Sequence, residues 1–189
     1  MNTWWGFLLV SSINYRIMAN SSVKLFAQLD TAKIIEDEYR PIIIADKLRT
    51  PENMGLILRL AANIGAINTL FIIDENQEFK NSKIVRTASG AASKINWKLI
   101  NYKELSSYIP SDYKIVALET SYNSVNIFSF NFPEKTAFLV GNEVMGISDE
   151  VISQAHHQVY IPVPGPISSL NVTHALSIGL FEWLRQKSV

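Results

Sequence analysis

The stretch Tyr160-Ile161-Pro162-Val163-Pro164-Gly165-Pro166-Ile167-Ser168-Ser169-Leu170-Asn171-Val172-Thr173-His174-Ala175 sets the reading of this 189-residue chain. Proline fixes φ, carries no N–H and disfavours helix in the residue before it, so Pro162, Pro164 and Pro166 hold the segment extended and stiff. A helix is predicted just after it, with Ser168 and Ser169 as N-cap hydroxyls ahead of Leu170, Val172, Ala175, Leu176 and Ile178. A short strand therefore runs into a rigid loop and then into a helix that is apolar on most faces. The polar pair Ser169 and Asn171 stands at its mouth, an arrangement that suits a ligand better than it suits packing.

Working outward, runs rich in β-branched and aromatic residues occur at 42–45, 69–73, 97–100, 114–118, 136–140 and 158–161. Segments that read as helix, or as loop plus helix, separate them. Nearly continuous apolar strands alternating with helices predict an α/β fold with a parallel sheet covered by helices on both faces. In such sheets ligands bind beyond the carboxyl ends of the strands, and two further polar signatures fall at those ends. The first follows the Ile42 strand: Asn53, Gly55 and Arg59, in a predicted helix that starts around Pro51 and stops at Gly65. Its apolar face is Ile57, Leu60, Ala61 and Ile64. Arg59 projects away from that face beside Gly55, Ala62 and Asn63, which are expected to leave room for another molecule. The second signature follows the Thr136 strand: Gly141, Glu143 and Gly146, with Ser148 expected to cap the next helix.

Bulk properties bound the chemistry. A 48% hydrophobic chain of this length has enough apolar residues for a real core. It has no cysteine and three histidines, which leaves no thiolate site and no histidine spacing for a metal centre. The expectation is no metal. No signal peptide or membrane anchor is read in the apolar cluster Trp4 to Val10, because it is far shorter than the ~20 residues a bilayer requires. Met18 is a second candidate start, and Val23 to Glu38 fits an amphipathic helix ending before Pro41. Residues 1–40 thus read as a partly helical extension and 41–189 as the main domain. Net charge is zero, yet Phe79 to Lys103 carries Lys80, Lys83, Arg86, Lys94, Lys98 and Lys103 with no acid. Trp97 and Tyr102 interleave with them. Such a run is either a solvated face or a surface for a phosphate backbone with rings for stacking.

Neither glycine-bearing turn is a dinucleotide fingerprint or a P-loop. Taken in order, however, the three signatures resemble the motifs of the SpoU (TrmH-like) branch of the SPOUT RNA methyltransferases. The family's Asn-x-Gly-x-x-x-Arg is met by Asn53, Gly55 and Arg59, and its Gly-x-Glu-x-x-Gly by Gly141, Glu143 and Gly146. Its Ile-Pro, loop and Ser-Leu-Asn-Val-Ser are met by Ile161-Pro162 and Ser169-Leu170-Asn171-Val172-Thr173. Ser89-Gly90-Ala91 also looks like the family segment between the first two motifs. The resemblance covers about Pro41 to Arg185.

That resemblance implies a C-terminal deep trefoil knot, S-adenosylmethionine as cofactor, and methyl transfer to an RNA ribose 2′-hydroxyl. It implies cofactor contacts from Thr120, Gly141, Ile161 and Leu170, and a catalytic set of Arg59, Asn53, Glu143, Ser169 and Asn171. Arg59 would be required for activity, either as base or as activator of the substrate; an arginine base is awkward because guanidinium groups keep their proton. His174 stands where the family has a small apolar residue, and reads as a packed or interface residue or as a second candidate base. A cytoplasmic homodimer packed near the knot is implied, with tRNA preferred over rRNA as substrate. The alternatives are an rRNA methyltransferase and a knotted RNA-binding protein without turnover.

Overall fold

In a computed structural model that describes residues 35–74, 77 and 79–188, the apolar runs become strands of one sheet. The chain divides into two compact units after Glu36, and the sheet belongs to the unit Asp37–Val189. The strands are β1 (Ile42–Asp46), β2 (Asn68–Ile72), β3 (Trp97–Ile100), β4 (Lys114–Leu118), β5 (Val125–Asn126), β6 (Thr136–Val140) and β7 (His157–Tyr160). Their order is β3-β2-β1-β6-β4-β7-β5, and every pairing is parallel. All the predicted strands form within a residue of their expected bounds. The two-residue β5 was not expected, being too short to show a period.

Five helices connect or cover them: α1 (Pro51–Ile64), α2 (Asn81–Ala88), α3 (Leu105–Tyr108), α4 (Asp149–Ile152) and α5 (Val172–Lys187). Ile43, Ile44, Ala45, Leu70, Phe71, Val116, Ala117, Phe138 and Leu139 are all within 1% of full burial, as strands covered on both faces require. On one face Ile42, Ile44, Leu70, Ile115, Ala117 and Leu139 join Leu105 of α3 and Val151 of α4 in one apolar cluster. The alternate residues face the other way. There Phe138 meets the fully buried Trp183 of α5 edge-on at 6.4 Å, and α5 packs against α1.

Local chemistry explains most helix ends. Thr50 Oγ1 accepts from Asn53 N at the start of α1, Pro51 takes the first turn, and Gly65 ends the helix at φ 73°. The start of α5 departs from expectation. Its cap is Asn171, whose Oδ1 accepts from Thr173 N at 2.9 Å and from Thr173 Oγ1 at 2.6 Å. Ser168, Ser169 and Leu170 therefore stay in the preceding loop, because the side-chain amide of Asn171 reaches the free N–H groups first. Ser148 likewise precedes α4, but its hydroxyl donates to Asp46 Oδ2 at 2.7 Å instead of capping. Gly55 does not leave room for another molecule: α2 fills it, and a Cβ there would lie 2.6 Å from Thr87 Cβ and 2.7 Å from Ile84 O. Residues 23–34 of the predicted Val23 to Glu38 helix lie outside the described residues; its last four positions are not α-helical, 35 and 36 being irregular and Asp37–Tyr39 a single 3-10 turn.

Among the described residues, no helix is long and apolar enough to cross a membrane. No group of His, Asp and Glu among them is placed to hold a metal ion.

His156, just before β7, extends the pairing of β7 with β4 through its ring. Its Nδ1 accepts from Ile115 N at 3.0 Å, a role only an unprotonated nitrogen can fill. Desolvation first, then the neighbouring positive charges of Lys114 and His157, hold its pKa below the usual histidine value. The unfolded chain therefore takes up the proton first, so this contribution is full above about pH 6.5 and is lost as the pH falls below it. Thermal unfolding followed from about pH 7.5 to about pH 5 should show a decline that His156→Gln, which keeps an acceptor, makes shallower. Parallel declines in the two proteins would show that His156 is not the group responsible.

Candidate active site

Strands β6, β4 and β7 are neighbours in the sheet, and the backbones leaving their carboxyl ends diverge around a cleft of about 360 Å³. Its floor is Leu118, Val140 and Val159, closed by Val172 and Ala175 from α5. One wall is the loop after β7, through Ile161, Val163, Ser168, Ser169 and Leu170. The other is the loop after β6, from Gly141 to Gly146, with Glu119 and Thr120 contributed by the end of β4. Both lips carry apolar side chains open to solvent: Val144 and Met145 are 66% and 82% exposed, Ile167 72%.

The loop after β6 is tied down at every turn. Its own backbone closes first, with Asn142 and Gly146 exchanging N–H···O bonds of 2.9 and 3.0 Å. That closure is so tight that a Cβ on Gly141 would come within 2.3 Å of the Gly146 carbonyl carbon, so glycine is needed here by the turn itself. Asn142 Nδ2 donates to Lys47 O at 2.6 Å. Glu143 accepts from Arg49 N at 2.9 Å and from Asn53 Nδ2 at 2.6 Å. Glu119 accepts from Thr120 N and Ile147 N at 3.0 and 3.1 Å. Asp46, wholly buried at the end of β1, accepts from both Ser148 N and Ser148 Oγ.

The predicted residues thus fall into three groups. Thr120, Gly141, Glu143, Ile161, Ser169 and Leu170 line the cleft together. Asn53 and Asn171 do not line it; the first holds Glu143 in place and the second fixes where α5 begins. Arg59 lies outside the cleft, exposed on α1, with no hydrogen bond or ion pair among the described residues. His174 is likewise exposed.

Glu119 and Asp46 were missed by the sequence reading. Glu119 directly follows an apolar strand, so a carboxylate at a strand's carboxyl end was an available signal. Asp46 sits at the equivalent place after β1, yet it serves the loop and not the cleft. The basic run behaves differently from a stacking surface. Trp97 packs edge-on against Phe71 and donates its N–H to Ala92 O at 3.2 Å, while Tyr102 lies beneath Lys103. Both rings are occupied by the protein's own groups.

Such an arrangement can hold an amphipathic ligand. Its apolar floor suits a flat ring, its size falls in the range of small-molecule sites, and the Glu119 carboxylate with the Ser168 and Ser169 hydroxyls suits a sugar.

Comparison with known proteins points the same way. The chain is 29% identical over 161 residues to a tRNA (guanosine(18)-2′-O)-methyltransferase of Aquifex aeolicus, covering 82% of this chain and 74% of that one. It is 25% identical over 162 residues to the 23S rRNA (guanosine-2′-O-)-methyltransferase RlmB of Acinetobacter baylyi, covering 84% and 65%. The fold matches the SpoU methyltransferase AviRb of Streptomyces viridochromogenes in complex with AdoMet at a TM-score of 0.71 and 25% identity, covering 83% of this chain and 61% of that one. Against the last two, then, it spans slightly less than two thirds of the relative's length. Residues 40–181 match the model of the SpoU rRNA methylase family, and the chain belongs to that family.

Proposed function

We propose that this chain methylates the 2′-hydroxyl of a ribose in tRNA, with S-adenosylmethionine as the methyl donor. The observation that carries the reading is the cleft where β4, β6 and β7 end, because it gathers residues from two of the three polar signatures and is braced by the third. Similarity to the Aquifex tRNA enzyme supports tRNA; similarity to the Acinetobacter enzyme supports the rRNA alternative.

Leu118, Val140, Val159 and Leu170 offer the adenine ring apolar contact, and Glu119 offers the ribose hydroxyls an acceptor. When bound there, S-adenosylmethionine supplies a methyl group made transferable by the positive charge on its sulfur. The chain's own residues do the remainder. The loop tied by Asn53, Glu143, Asn142 and Asp46 is fixed before any ligand arrives, so little ordering is needed on binding. Asn171 sets the first turn of α5, and with it the position of Ser169 and Leu170 on the opposite wall.

Arg59 has the role of holding the RNA. A guanidinium presents several N–H donors to a phosphate in a fixed fork, and an exposed one outside the cleft suits a group that grips substrate. We therefore read it as positioning and activating the nucleotide.

The reading includes the C-terminal knot, residues 41–189 as the catalytic domain, a cytoplasmic location to meet the RNA, and a homodimer packed near the knot. Phe181 is 52% exposed and lies two turns from His174 on the same side of α5. We place the subunit contact on that side of α5.

Tritium transfer from labelled S-adenosylmethionine should place label in a 2′-O-methylnucleoside of tRNA and not of deproteinised rRNA. Label in rRNA alone would move the substrate to the alternative, and label in neither pool would sink the reading. Arg59→Ala should lower kcat/KM by about a hundredfold or more, while calorimetric cofactor affinity stays unchanged. Undiminished turnover would remove Arg59 from the reaction. Sedimentation at micromolar concentration should give a dimer that Phe181→Glu dissociates, and a wild-type monomer would contradict the dimer.

A further inference from the structure

Cations in the described part of the chain differ in what they meet. Arg40, Lys47, Lys135 and Arg185 sit 2.8–3.0 Å from Asp37, Asp74, Asp112 and Glu182. Lys98 and Lys103 lie over the rings of Tyr108 and Tyr102, at 4.6 and 5.8 Å. Lys80, Lys83, Arg86 and Lys94 are exposed and take no acidic partner among the described residues. The basic run noted in the sequence is thus split by the fold, and its unpaired half is concentrated on α2 and the turn that follows it.

The packing gives that half a direction. Ile84 and Ala88 are the buried face of α2, so Lys83 and Arg86 are turned outward. Gly55 lets the last turn of α2 press against α1, and Gly55 and Arg59 lie one turn apart on the same side of α1. The end of α2 therefore packs on α1 at Gly55, one turn from Arg59. Ser89 and Gly90 then take left-handed backbone, at φ 53° and 85°, and the chain folds back so that Ala91–Ser93 packs on α1.

Lys94 arrives at a second cleft, of about 410 Å³, at the amino ends of β1, β2 and β3. Arg40, Gly65, Ser93 and Asn96 line it as well. Here the Nε of Arg40 is buried with no hydrogen-bond partner among the described residues, while its Nη2 is paired with Asp37. The rest of the Arg40 side chain is 34% exposed, so part of its guanidinium charge faces the cleft.

We propose that this surface, from α2 past Lys94 to the cleft of Arg40, binds the sugar–phosphate backbone of the substrate RNA beyond the nucleotide that reacts. The proposal rests on reading the chain as an RNA methyltransferase. Contacts to phosphate give affinity and register without reading bases, so this surface fixes how RNA lies on the protein and leaves the choice of nucleotide to the active site.

The test is binding of bulk tRNA by fluorescence anisotropy between about 50 and about 200 mM salt, for wild type, Lys83→Gln/Arg86→Gln and Lys94→Gln. Each lost phosphate contact should make the slope of log affinity against log salt shallower by about 0.7 to 0.9. The variants should raise KM for RNA while leaving kcat, S-adenosylmethionine affinity and Tm as in wild type. Lys94→Gln serves where Arg40, which also braces Asp37, would compromise folding. Wild-type slopes in every variant, with methyl transfer intact, would overturn this surface and leave the activity standing. Altered slopes without methyl transfer to any RNA would support the surface and overturn the activity.

Discussion

Everything in the proposed active centre depends on how the loop after β6 is restrained. Glycines at both ends let the backbone fold tightly on itself, and such a turn alone would be free to swing. It is prevented from swinging by acceptors and donors from three other places: Asp46 at the end of β1, Glu119 at the end of β4, and Asn53 and Arg49 around the start of α1. The bonds are to charged carboxylates, and charge-assisted hydrogen bonds are about twice as strong as neutral ones. Two of the carboxylates are placed by strands whose central residues are in the core. The rigidity of the sheet is thereby passed to the lip of the cleft.

The opposite wall is stiffened by different means. The loop after β7 has few side-chain ties, and its restraint is covalent, in the fixed φ of Pro162, Pro164 and Pro166. At its far end Asn171 starts α5, and α5 is anchored by Trp183 against Phe138. Leu170 and Ile167 are left at the surface because a rigid loop cannot bury them by folding over. One wall is held by hydrogen bonds and the other by proline, and the floor between them is apolar. A ligand meeting this cleft finds a shape already made.

Much of this was legible in the sequence for a simple reason. Strands buried on both faces have to be continuously apolar, so Ile42–Ala45 and Thr136–Val140 announced themselves, and a parallel sheet followed. Polar residues just beyond such strands then had few structural reasons to be there, which singled out Asn53, Glu143 and Ser169. What was not legible was which polar groups serve the ligand and which serve each other. Asn53 and Glu143 are ninety residues apart and bond at 2.6 Å, and Ser148 bonds Asp46 across the sheet. No local pattern encodes such pairs. The same limit explains Gly55, which read as open space beside Arg59 until α2 was found lying on it.

The central claim is that the cleft at the ends of β4, β6 and β7 is where S-adenosylmethionine binds. Backbone amide chemical shifts, followed by NMR as S-adenosylmethionine is added, test it most directly. Shifts should concentrate at residues 118–120, 141–147 and 161–170, with Gly65, Lys94 and Asn96, at the amino ends of the strands, unchanged. Saturable shifts confined to any other part of the chain would contradict it.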